Sequence, residues 1–273
     1  MTTFSRSSEM TMSSQPSRSR PERAADPQIT DIQKEFGASR SKRQRYADLV
    51  IGEAGWWPLI RYEMVMLLSS WVPGALGLFL RSKLYPLILG RVGRNVAFGQ
   101  NVVLRHPRKI TIGDNVVVDD QCCLDAKGTT NRGIELQDGV FVGRTTILSC
   151  KNGDIVLEQE ANVGFNVEVF SAARVRVGAR TLIAAYTYLV GGDHLYDRTD
   201  VAVLHQGRTA AGIDVGENSW LGAHVVVTDG ARLGRDVIVG AGSVVIGEVA
   251  PFHIVAGSPA RVIRDRRTAT EPA

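Results

Sequence analysis

The chain has 273 residues, a hydrophobic content of 44% and a formal net charge of +4 at neutral pH. That length fits one sizeable folded domain with extensions, and so mild a basic balance demands no nucleic-acid partner. Its three cysteines, Cys122, Cys123 and Cys150, lack CxxC spacing, so neither a disulfide framework nor a zinc site is expected.

Residues 1–45 are rich in Ser, Arg, Pro and Gln and poor in aliphatics. Such a segment cannot bury enough apolar surface to offset its ordering entropy, and a disordered basic tail is predicted. Its arginines, among them Arg18, Arg20, Arg40, Arg43 and Arg45, suit either a solvated tail or an anionic membrane surface. No apolar signal-peptide core follows Met1, which predicts a cytoplasmic protein.

Residues 46–91 turn apolar, with Trp56, Trp57 and Trp71 and no charge between Met64 and Leu80. The stretch is at the short limit for a spanning helix, and Pro73, Gly74 and Gly77 interrupt it. Two readings remain open and are compatible. The helices cap the open edge of the domain that begins at Val92, or they lie as an interfacial hairpin on the cytoplasmic face of the inner membrane, held by the tryptophans with Arg61, Arg81 and Lys83.

Residues 92–263 carry a period of six. An aliphatic residue precedes a small one at Val92-Gly93, Phe98-Gly99, Ile112-Gly113, Val163-Gly164, Val177-Gly178, Val215-Gly216 and Val239-Gly240. Helical packing repeats near 3.6 residues and a strand alternates with period 2, so a period of six implies a short strand and a turn, repeated. Asn95, Asn101, Asn115 and Asn218 fall two residues after the glycine of their repeats, and asparagine tolerates the left-handed conformation of a tight corner. The expected fold is an all-β hexapeptide solenoid in which each aliphatic side chain stacks on its equivalent one coil away. Residues 264–273 read as a C-terminal tail.

One segment breaks the rhythm, from Gly191 to the return at Ile213, and carries His194 with Asp193, Asp197 and Asp200. A loop of this length leaving a regular solenoid usually has a function. Histidine titrates near neutral pH and can take a proton from an alcohol, while a carboxylate can fix its tautomer. The alternative is a surface histidine bonded within its own loop. His106, His224 and His253 read as structural or solvated, and His205 shares the loop with His194.

The run from Ile213 through Trp220-Leu221-Gly222-Ala223, then Val239-Gly240-Ala241-Gly242-Ser243, then Ala256-Gly257-Ser258-Pro259-Ala260-Arg261-Val262-Ile263, resembles the hexapeptide-repeat acyltransferases. It looks most like the branch of maltose, galactoside and nodulation-factor O-acetyltransferases and of acetyltransferases from exopolysaccharide clusters. The resemblance implies a left-handed, three-sided parallel β-helix, a homotrimer with active sites between subunits, acetyl-CoA as acyl donor and no metal. It implies a saccharide acceptor, free or lipid-linked, and direct transfer in a ternary complex. On the matching positions it assigns His194 as catalytic base, with Asp193, Asp197, Asn166 and Trp220 on the acceptor side. Ala223 and Ala241 would line the groove for the pantetheine arm, and Arg261 and Arg264 would meet the nucleotide phosphates.

The chain also departs from that pattern. Ile246-Gly247 replaces a Thr-Lys, Gly164 replaces an Asn that holds the acceptor hydroxyl, and Ser171-Ala172 replaces an Asp pair. Acceptor identity therefore does not transfer. A non-catalytic trimeric scaffold and a γ-type carbonic anhydrase are the competing readings, the latter requiring three histidines that converge on one metal.

Overall fold

Two-residue strands cannot bury a core alone, and in the computed structural model, which describes residues 41–268, they wind into a parallel β-solenoid with three faces. The first face stacks eight strands, from Arg91–Val92 to Glu248–Val249. The second stacks nine, beginning at Ala97–Phe98 and ending in Arg261–Asp265, which pairs antiparallel with His253–Ala256. The third stacks seven, from Val103–Arg105 to Val244–Val245.

The aliphatic residues behind the period form the core. On the first face Ile112, Leu136, Leu157, Val177, Val215 and Leu233 are in register, each inward and buried. Full burial of such a side chain contributes about 1.5–3 kcal/mol, so a column spanning six coils is a large share of the stability. The corners follow the expected chemistry: Asn95, Asn101, Asn115 and Asn218 all have φ between 54° and 58°. Thr145, Tyr186, His224 and Asp236 adopt the same left-handed conformation without a small or amide side chain to announce it.

The period is looser than six repeated three times. Successive partners on the third face are Val103, Cys123, Ile147, Glu168, Tyr188, Val226 and Val244, so coil lengths run 20, 24, 21, 20, 38 and 18 residues. Only the last step is three strict hexapeptides. The corners on either side of the second face keep six-residue spacing, as in Val177, Ile183 and Leu189, so every insertion falls at the corner from the third face to the first.

The N-terminal segment caps the first coil. Helix α1 (Lys42–Tyr46) begins within the stretch expected as tail, because the Ser41 hydroxyl accepts the Gln44 N–H as an N-cap, and continues as a π-helical turn over Ala47–Ile51. The rest of that predicted tail lies outside the described residues. Helices α2 (Trp56–Ser69) and α3 (Gly74–Leu84) come next. The Tyr62 hydroxyl donates to the Leu104 carbonyl at 2.8 Å, and the Ser70 carbonyl accepts the Asn101 N–H at 2.8 Å. The Arg81 guanidinium donates to the carbonyls of Phe98, Ser69 and Val72.

Arg81 is thus 2% exposed and ties the cap to the coil, which corrects its expected place among the interfacial charges. A Cβ on Gly77 would lie 1.8 Å from the Val72 carbonyl oxygen, so only glycine lets α3 pass close enough for Arg81 to reach. Among the described residues no helix is long and apolar enough to cross a membrane.

Candidate functional site

The inserted loop is held at both ends. On leaving the third face it passes over Ala172 so closely that a Cβ on Gly192 would lie 2.7 Å from that methyl. Asp193–His194 then pairs antiparallel with Arg208–Thr209. The Gly207 carbonyl accepts the Leu195 N–H, and the Gln206 side chain bonds Arg198 through both its backbone groups. At the return the Asp229 carboxylate accepts the N–H groups of Ala211 and Gly212 at 2.8–2.9 Å, while Arg232 donates to both carbonyls of the same residues at 2.7 Å.

This clamp was not anticipated from sequence. A signal existed: Asp114, Asp138 and Asp154 are corner carboxylates that each accept a backbone N–H from the preceding coil, and Asp229 repeats their role.

His194 is half-buried on this loop, and its Nδ1 is shielded from solvent without a hydrogen-bond partner, as is the Nε of Arg208 across the pair. Among the described residues the expected carboxylate support is not formed. Asp193 accepts the backbone N–H of His194 itself at 2.8 Å, Asp200 is paired with Arg198, and Asp197 is exposed.

The remaining candidates lie elsewhere. Asn166, Ala223 and Ala241 are all at the corner between the second and third faces. Asn166 has φ 53° and accepts the Thr145 hydroxyl, so its side chain belongs to the corner. Ala223 and Ala241 sit one above the other, the Ala223 carbonyl accepting the Gly242 N–H at 2.8 Å. Trp220 stands outward on the second face, 49% exposed, between Leu182 and Ile238. Arg261 and Arg264 lie exposed on the last, antiparallel strand of that face.

His194 and the alanine column therefore lie at opposite edges of the third face, while Trp220, Arg261 and Arg264 are on the second. His194 leaves one edge and the alanine column runs along the other, with a strand of about four residues, roughly 13 Å, between them.

Two of the departures, at Gly164 and Ser171, have local structural reasons. A Cβ on Gly164 would lie 2.9 Å from the Ile183 carbonyl oxygen, so this coil admits no asparagine there. Ser171 is buried and donates to the Asp154 and Ala173 carbonyls, which makes it a corner brace. Among the other histidines, burial holds His106 below the usual imidazole pKa, and its Nε2 lies 2.9 Å from the Asp48 carbonyl. His224 stacks on Tyr186 with ring centroids 5.0 Å apart, and Tyr186 meets Phe165 edge-on. His205 lies in a 3-10 turn at the loop tip, and His253 Nδ1 approaches the Ala250 and Pro251 carbonyls. Among the described residues no three His, Cys, Asp or Glu side chains cluster as a metal site.

The faces differ outside. Arg176 bridges Glu158 at 2.7 Å and Asp214 at 2.8 Å across the first face. The second and third faces instead present Leu182 and Trp220, and Val103 and Ile147, to the outside.

By repeat and by fold the chain is a hexapeptide solenoid, similar to acetyltransferases built on that fold. Residues 212–247 match the family described as bacterial transferase hexapeptide (six repeats), the stretch that includes the strict 18-residue step. WcaF of Escherichia coli strain K12, provisionally named a colanic acid biosynthesis acetyltransferase, is 25% identical over 211 residues, 77% of this chain and 85% of WcaF. Galactoside O-acetyltransferase of the same organism is 33% identical over 106 residues, 37% of this chain and 49% of the relative. The chain also matches 46% of the length of an acetyltransferase of Mycobacterium tuberculosis, so for two of these three relatives it spans about half of their length. The solved structure of the polysialic acid O-acetyltransferase OatWY shares the fold, with a TM-score of 0.51 at 18% identity, covering 67% of this chain and 85% of that one.

Proposed function

We propose that the protein is an acetyl-CoA-dependent O-acetyltransferase acting on a saccharide hydroxyl, working as a homotrimer with each site shared by two subunits. The observation that carries this reading is the division of the candidate residues: a histidine on a clamped loop at one edge of the third face, a column of small residues at the other. Outward apolar residues such as Leu182, Trp220, Val103 and Ile147 on the second and third faces, beside the ion-paired first face, favour packing of copies through the former pair, which brings the His194 edge of one subunit to the alanine edge of the next.

In that arrangement His194 Nε2 takes the proton from the acceptor hydroxyl as its oxygen forms a bond to the thioester carbonyl carbon. Backbone N–H groups at the corner stabilise the oxyanion of the tetrahedral intermediate. The carbon–sulfur bond then breaks, and the imidazolium returns the proton to the departing thiolate. Among the described residues no nucleophilic side chain is placed beside His194, which favours binding of acceptor and donor together. Ala223 and Ala241 leave room for a pantetheine arm, and Arg261 and Arg264 can fork onto phosphate. Gly247 offers no cation where the resembled enzymes have a lysine. The His194 Nδ1, without a partner among the described residues, would find one on the neighbouring subunit. A donor made in the cytosol places the reaction in the cytoplasm.

The test is release of free thiol from acetyl-CoA with a panel of oligosaccharide acceptors, comparing wild type with His194→Ala. Loss of turnover with an unchanged melting temperature supports the assignment, and turnover within a few-fold of wild type contradicts it. The scaffold reading predicts instead that millimolar CoA leaves the melting temperature unmoved.

A further inference from the structure

The cap that closes the first coil is apolar on both sides. Tyr62, Val65 and Ser69 of α2 face the solenoid and are buried. On the opposite side Trp56, Trp57, Ile60, Met64, Leu67 and Trp71 recur at helical spacing and are 47–70% exposed. Leu76 and Phe79 of α3, 62% and 59% exposed, extend this surface. A monomer rarely leaves so much contiguous apolar area open unless something covers it.

The charges around it identify the partner. Apart from the buried Arg81, residues 41–90 hold five Lys and Arg against three Asp and Glu. Glu53 is paired with Arg61 and Arg108, and Glu63 accepts the Tyr46 hydroxyl. Arg43 lies 4.4 Å from the ring centre of Trp56, and Lys83 lies 5.9 Å from that of Phe79, so cations rim the aromatic surface. Tryptophans with a cationic rim, on helices too short to span, suit the boundary between headgroups and acyl chains. A second copy of the chain would bring the same cations against each other.

We propose that this face of the cap docks on the surface of an anionic phospholipid bilayer, with the solenoid standing away from it. The loop bearing His194 leaves the fifth strand of the third face, four strand spacings or roughly 19 Å beyond the first coil. On the acetyltransferase reading, a docked molecule would hold its reaction at that height, within reach of a sugar chain carried on a lipid. The docking itself stands without that reading.

The full-length protein is floated with vesicles of phosphatidylcholine and phosphatidylglycerol, and with phosphatidylcholine alone. Wild type should float with the anionic vesicles, its tryptophan emission shifting to the blue. The variant Trp56→Ser/Trp57→Ser/Trp71→Ser should float about tenfold less or worse, and Lys42→Glu/Lys83→Glu should lose the preference for anionic lipid. Both variants change exposed side chains, so circular dichroism and melting temperature should hold. Thiol release with a water-soluble acceptor should also hold, which separates failure of docking from failure of the acetyltransferase reading. No flotation of wild type, or equal flotation of the tryptophan variant, overturns the proposal. So does a sedimenting mass that doubles in wild type and halves in the tryptophan variant, which would assign the face to a second copy.

Discussion

Two kinds of corner share this solenoid. Those on either side of the second face hold their spacing at six residues from coil to coil, while the corner between the third face and the first takes the insertions, including the whole loop that carries His194. The strict corners are locked by inward threonines: Thr146, Thr181 and Thr187 are buried and donate to the carbonyls of Gly164, Gly216 and Gly222. A residue added there would break that bond and turn the next strand's apolar side outward. The open corner has no such constraint once a carboxylate recaptures the backbone, as Asp154 and Asp229 do. One edge can therefore vary and carry chemistry while the other two keep the register.

Substitutions on the two kinds of corner should act on different quantities. The largest effect belongs to the open edge: His194→Ala should lower turnover by about 10²–10⁴-fold, the usual contribution of a general base, with little change in melting temperature. In the column that both corners protect, Leu157→Ala should cost about 2–5 kcal/mol by denaturant unfolding, because the packed coils above and below cannot close the cavity. Asp229→Ala should free the loop return and leave the Ala211 and Gly212 N–H groups unpaired, costing about 1–3 kcal/mol locally. Its signature is faster amide exchange over residues 193–212 together with reduced turnover, while exchange in the strict corners stays slow.

The smallest effect is at the cap. His106 is held neutral by burial, so its folded pKa is below the unfolded value near 6.5 and the unfolded chain binds the extra proton. Stability should therefore fall as pH drops below about 6.5 and be fully present above it. Asn, which tolerates the left-handed φ of 51° at this position, should flatten that slope in a pH series of melting temperatures.

Much of the fold was legible because inward aliphatics and corner asparagines are local signals. Val92, Phe98 and Leu104 show their spacing without knowledge of the partner coil, and Asn95, Asn101, Asn115 and Asn218 mark left-handed corners by residue type. Tyr186 and His224 occupy the same conformation and stack on each other, a contact between adjacent coils that is invisible along one. The location of His194 on an inserted loop was readable, since a break in period needs no geometry to detect. Its surroundings were not. Asp193 stands next to His194 in sequence but bonds the backbone, and Asp229, a coil away, is what fastens the loop. Arg81 likewise read as a surface charge because the carbonyls that hold it come from two segments, the turn at Ser69–Val72 and the first coil at Phe98.

The central claim is that the His194 edge of one subunit works with the Ala241 edge of another, and mixing two inactive variants tests it most directly. His194→Ala and Ala241→Trp, each purified and inactive, are co-expressed with different tags and the mixed oligomers isolated. In a mixed trimer with shared sites one interface of the three always has both edges intact, so the isolated mixed oligomers should recover roughly a third of wild-type activity. Mixed oligomers with no activity above either parent would mean that both edges serve one chain, and would contradict the account.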